Sequence, residues 1–127
     1  MISLNFRDKR PIYEQVVDRL KELMVVGALP ENEQLPSVRS LAVELSINPN
    51  TIQRAYGELE RQGYIYSIKG KGNFVAENER LRDLKIDEIM EKLRDIICEA
   101  RKLGLRDEEI IAIVKEQGTF RKGGADD

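Results

Sequence analysis

Between Leu45 and Asn50 the chain reads "LSINPN", and this short stretch forces a helix to stop and another to start within a few residues. Ahead of it, in "LPSVRSLAVELSI", Ser37 can accept a bond from a free N–H at a helix start, and Val38, Leu41, Ala42 and Leu45 form one apolar face. Behind it, Asn48 is a good N-cap and Pro49 suits the first helical position, where no N–H is needed. Two short helices joined this tightly form a helix-turn-helix, which removes most other architectures from consideration. In the second of them Ile52, Ala55, Tyr56 and Leu59 recur at i, i+3, i+4 and i+7, leaving Asn50, Thr51, Gln53, Arg54 and Gly57 outward or flanking.

The flanking segments complete the unit. Pro11 followed by Ile12, Val16, Leu20 and Leu23 or Met24 predicts a helix from about Pro11 to about Val26, stopped by Gly27. After Gly63, "YIYSIKGKGNFVAE" places aromatic and β-branched residues on either side of a basic glycine-rich tip, the pattern of a β-hairpin. A hairpin directly after such a helix is a wing, with Lys69 and Lys71 at its tip and Gly70 and Gly72 letting the backbone turn close to a phosphate or enter the minor groove. Tyr56, Tyr64 and Tyr66 read as core or hairpin packing.

The outward residues suit a major groove. Asn and Gln can bond adenine edges, Arg favours guanine, and Thr can meet a thymine methyl or a phosphate. The net charge of −2 and the pI near 5.4 oppose this only on average. Up to residue 78, ten cations balance ten carboxylates, and from Arg61 to Asn73 every charge is positive. Screening at physiological salt, over about 8 Å, makes this local placement decisive.

Zero histidines and one cysteine exclude a structural zinc site and histidine-based acid catalysis, so neither a metal nor another cofactor is expected. "GKG" alone lacks the rest of a phosphate loop, and no nucleophile paired with a base appears; an enzyme is disfavoured. Cys98, between Asp95 and Glu99, reads as a small apolar residue on a helix face. Without a leader-like start or a membrane span, the expected location is the cytoplasm.

"GALPENEQLPSVRSLAVELSINPNTIQRAYGELERQGYI" followed by "GKGNFV" resembles the N-terminal DNA-binding domain of the GntR family of bacterial transcription regulators over roughly residues 10 to 76. The resemblance implies operator contacts from Ser37 and Arg39, from Asn48, Pro49, Asn50, Thr51 and Gln53, and from Lys69, Gly70, Lys71 and Gly72. Arg54 joins this set from its place on the outward face. Two positions depart from the family pattern: Glu31-Asn32 stands where a Pro-Gly turn is usual, and Ser40 replaces the common acidic residue before "LA". Asn32 can still take the left-handed conformation that such a turn needs.

About 50 residues follow Glu77. Leu81, Leu84, Ile89, Leu93, Ile96, Ile97, Ala100 and Leu103 predict one apolar helix face ended by Gly104, and Ile110, Ile111, Ile113 and Val114 a second, shorter helix with Asp107 as candidate cap. Two such helices leave apolar surface that a second copy can cover, so Leu84, Ile89, Leu93, Ile96, Ile97, Ala100, Leu103, Ile110, Ile111 and Val114 are the expected dimerisation residues. The other reading, that this stripe packs on its own N-terminal domain, stays open. The layout resembles the YtrA subfamily, which implies a homodimer, an inverted-repeat operator and transporter genes as targets.

The expected fold is thus α+β and mostly α: a winged helix-turn-helix over 1–78, a two-helix dimerisation extension over 79–118 and a disordered tail over 119–127. The expected partners are double-stranded operator DNA, a second copy and a small-molecule effector seated between chains or near Asn78, with no membrane. The competing function is a winged-helix protein-interaction module without specific DNA binding.

Overall fold

The computed structural model describes the backbone of residues 2–125 and side chains through 118. Its elements are α1 (Ile12–Val25), α2 (Val38–Leu45), α3 (Pro49–Gln62), β1 (Ile65–Ile68), β2 (Gly72–Val75), α4 (Asn78–Lys102) and α5 (Asp107–Ala125). The chain divides into two units, one reaching from the N-terminus to Ile86 and the other beginning at Asp87.

In the first unit α3 is the central element, packed on one side by α1 and on another by α2. The apolar stripes read from the sequence meet there: Val16, Leu20 and Met24 of α1, Leu41 and Ala42 of α2, and Ile52, Ala55, Tyr56 and Leu59 of α3 are all buried. Burial of such side chains, roughly 1.5–3 kcal/mol each for the larger ones, is what holds three short helices that would not persist alone. The helix ends follow local chemistry. Ser37 Oγ accepts from Ser40 N (3.0 Å) at the start of α2, and Asn48 Oδ1 accepts from Asn50 N (2.8 Å) at the start of α3. Gly63 ends α3 at φ +89°.

α2 ends differently, at Ser46 with φ +56°, a left-handed position filled by a residue with no special aptitude for it. Asn32 is left-handed as well (φ +61°), as the sequence led one to expect at this departure from the family turn.

β1 and β2 pair antiparallel, with Ile65 opposite Val75 and Ile68 opposite Gly72. The loop before α2 extends this hairpin: Gln34 bridges Phe74, Leu35 N donates to Asn73 O (2.8 Å) and Val75 N to Glu33 O (3.0 Å). The wing is therefore anchored along β2 by a third extended segment. Tyr64 is buried, while Tyr66 stacks on Phe74 at 5.7 Å and donates its hydroxyl to Asn32 Oδ1 (2.8 Å), in line with a packing role for both.

The structure moves the expected domain boundary. Leu81 is buried in the first unit and Leu84 packs against its core, so the first two turns of α4 belong to the N-terminal unit rather than to an extension starting at 79. Leu84, expected among the dimerisation residues, is half-buried against this core.

In the second unit, α4 ends at Lys102, Gly104 (φ +90°) turns the chain, and α5 starts after Arg106. Asp107 is not the cap. Arg106 holds that place, and Glu109 Oε1, at the third helical position, accepts from Arg106 N (3.0 Å), one half of a capping box. Asp107 is instead occupied with Arg101 at 3.1 Å. The backbone of α5 runs through Ala125. Asp126 and Asp127 lie outside the described residues.

Candidate nucleic-acid interface

α3 presents a polar edge because its buried stripe is narrow. Pro49, Asn50, Gln53, Arg54 and Gly57 are exposed and Thr51 is half-buried, which is the arrangement that the apolar spacing predicted. Asn50 and Gln53 lie one turn apart, with their amide groups unspent on the described residues. Asn48 is committed differently. Its carbonyl oxygen serves the helix cap, so only its NH₂ group is left to face outward. Pro49 contributes shape and no donor.

The start of α2 lies open beside this edge in sequence. Ser37 and Arg39 are both exposed, with Ser37 Oγ accepting the cap bond and its hydroxyl proton left to donate. Tyr56 fixes α3 to the segment before α2 by donating to Pro36 O (2.7 Å). Burial, with the nearby charge of Glu44 adding to it, pushes the Tyr56 hydroxyl up to about 12.

The wing tip consists of Lys69, Gly70 and Lys71 between the paired Ile68 and Gly72. Lys71 N donates to Ile68 O (2.9 Å), closing the turn, and all four tip residues from 69 to 72 are exposed. Sequence reasoning treated the two glycines alike, but they differ. Gly72, at φ +122°, would place a side chain 2.8 Å from Gln34 Nε2, so its conformation and this neighbour account for it. Gly70, at φ +78°, has open space around it.

Two contributors had no sequence signal. Gln34 Nε2 donates to Lys71 O at 2.5 Å across 37 positions of sequence, holding the basic tip in place. Tyr13 of α1 lies beneath the Arg54 guanidinium, whose carbon stands 3.8 Å from the ring centroid. Pro11, Ile12 and Tyr13 at the entry to α1, and Asn48, Asn50, Thr51 and Arg54 at the entry to α3, line an open cleft of about 470 Å³.

The cations are not equivalent. Arg61 is bound by Glu58, whose carboxyl the Arg61 hydrogen bonds, with help from Gln62, pull down to about 2. Arg10 is shared by Asp8 and Asp18. Arg39, Arg54, Lys69 and Lys71 have no carboxylate partner among the described residues. The positive run from Arg61 to Asn73 thus loses its first member, and the unneutralised charge is at the helix edge and the wing tip.

No group of acidic, histidine or cysteine side chains able to hold a metal ion occurs among the described residues, and no helix among them is long and apolar enough to cross a membrane. Cys98 is exposed on α4, in a shallow apolar groove with Arg94, Ile97, Arg101 and Lys102.

A capped, polar-edged helix second in a helix-turn-helix and followed by a lysine-tipped hairpin defines a winged helix-turn-helix DNA-binding protein. More narrowly, the chain belongs to the GntR family: the model described as "Bacterial regulatory proteins, gntR family" matches residues 12–75. It is 39% identical to the HTH-type transcriptional repressor YtrA of Bacillus subtilis (strain 168), over 98% of this chain and 97% of that protein, so the likeness to YtrA includes both C-terminal helices. Among solved structures, a GntR family transcriptional regulator from Listeria monocytogenes is 41% identical with a TM-score of 0.70, covering 87% of this chain and 98% of its own. A transcriptional regulator from Oenococcus oeni is 38% identical with a TM-score of 0.72, covering 91% of this chain and 98% of its own. The protein is a DNA-binding transcription regulator, not an enzyme.

Proposed function

We propose that the protein is a dimeric repressor acting in the cytoplasm on an inverted-repeat operator, with transporter genes among its targets. The observation that carries this reading is the pairing of an exposed Asn50–Gln53 edge with a wing tip of two lysines that no carboxylate neutralises. Asn50, Thr51 and Gln53 read base edges, while Arg39, Lys69 and Lys71 contact phosphates. Ser37, Asn48 and Pro49 shape the helix starts that carry them, Gly72 holds the tip turn, and Gly70 lets the wing backbone come close.

Dimerisation is supported by the apolar side chains left uncovered in a single chain. Ile96 is 62% exposed and Val114 63%, with Ile89, Leu93, Leu103 and Ile111 also exposed and Ile97, Ala100 and Ile110 half-buried. A second copy covers them, and a two-fold pair sets the recognition helices about 34 Å, or a multiple of it, apart. A small-molecule effector that alters this spacing would regulate binding.

The test is a fluorescence-anisotropy titration on the gene's own upstream duplex and on a shuffled duplex at two salt concentrations. Preferential, salt-sensitive binding with two protomers per site is the expected result. Equal and negligible affinity for both would overturn it in favour of a protein-interaction module.

A further inference from the structure

Arg54 is the α3 cation that no carboxylate neutralises, since Arg61, the other one, is held by Glu58. Its guanidinium carbon lies over the Tyr13 ring, 3.8 Å from the centroid, on the side of α3 that faces the start of α1. Gln53 and Arg54 are neighbours, so their side chains leave the helix about 100° apart. Arg54 follows Asn50 by one turn and leaves the helix about 40° from it, and the stack on Tyr13 draws it toward the start of α1. Stacking uses the face of a guanidinium and leaves its rim of N–H donors free, and Arg54 makes no hydrogen bond to any described residue. A donor fork anchored against α1 at the wall of an open cleft fits a phosphate oxygen pair, and that anchorage holds it at the flank of α3.

We infer that Arg54 clamps a backbone phosphate of the bound duplex and that Tyr13 is the positioning residue that holds it there. The inference rests on the DNA-binding reading above and changes one part of it: the guanine preference expected of an outward arginine on α3 does not apply to Arg54. Tyr13 lies outside the helix-turn-helix, so its part in binding comes from tertiary packing alone.

The experiment compares Arg54→Ala, Tyr13→Leu, Tyr13→Phe and the double variant Tyr13→Leu/Arg54→Ala on the upstream and shuffled duplexes across a salt series, with thermal melts as the folding control. Arg54→Ala should weaken both duplexes alike, about tenfold, and reduce the slope of log K against log salt by about 0.9, one phosphate. Tyr13→Leu should cost about two- to fivefold, the size of a stacked cation on an aromatic ring, and Tyr13→Phe should bind as the native protein does. The double variant should bind no more weakly than Arg54→Ala alone, an outcome that general damage from Tyr13→Leu would not give. Selective loss on the upstream duplex with an unchanged salt slope would mean that Arg54 reads a base and would overturn the assignment. So would additive losses in the double variant, or a loss in Tyr13→Phe equal to that in Tyr13→Leu. Absence of any salt-sensitive DNA binding by the native protein would overturn the inference together with the reading beneath it.

Discussion

Asn50 and Lys71 differ in what they offer DNA, an amide pattern in one case and a point charge in the other, and their substitutions should therefore fail differently. Asn50→Ala should cost about 1–3 kcal/mol on the operator and relax specificity at one position. Lys71→Ala should weaken all sequences alike and lower the salt slope by about 1. Competition binding against single-base operator variants separates the two, and identical behaviour would remove the proposed division between base-reading and phosphate contacts. Tyr56 gives a residue-scale prediction about stability. Its pKa is raised on folding to about 12, so the neutral hydroxyl bonded to Pro36 O stabilises the native state fully below about pH 10. That stability should be lost progressively as the pH rises from about 10 to about 12. Denaturant midpoints at pH 8 and pH 11 should fall more for the native protein than for Tyr56→Phe.

At the scale of elements, caps and turns were legible because they depend on residues close in sequence. Ser37, Asn48 with Pro49, Gly63 and the Lys69–Lys71 tip all stand where the sequence put them. Arg106 and Ser46 escaped that reading because neither is a favoured residue for its position. Glu109 supplies the bond that makes Arg106 workable, while the structure offers no compensating side chain for Ser46. Asn48 joins two roles that a pair of variants can part. Asn48→Ala removes the cap and should lower stability by about 1 kcal/mol. Asn48→Asp should retain the cap and the melting temperature yet weaken DNA binding, because it brings a negative charge to the helix edge. If Asn48→Asp bound as tightly as the native protein, the start of α3 would not approach DNA.

For the whole molecule, the core of the first unit is closed by residues up to Leu84, so the apolar face of the second unit can be altered without opening it. Ile96→Glu should convert a dimer to a monomer in analytical ultracentrifugation, leave the melting of the first unit in place and lower operator affinity about a hundredfold or more by removing the linked second half-site. A variant that stayed dimeric would show that α4 does not carry the interface. The sequence by itself determined the helix-turn-helix, the wing, the buried stripes and the family, since each follows from hydrophobic spacing and local capping along consecutive residues. Only the tertiary structure decided that Leu84 serves the core, that Gln34 holds the wing tip, that Glu58 removes Arg61 from the free positive charge and that Tyr13 orients Arg54. Three of these are the work of groups met only when the folded elements come together, Tyr13 with Arg54, Gln34 with Lys71 and Leu84 with the core. The fourth is a helical neighbour whose two carboxylate oxygens were free, on paper, to point elsewhere.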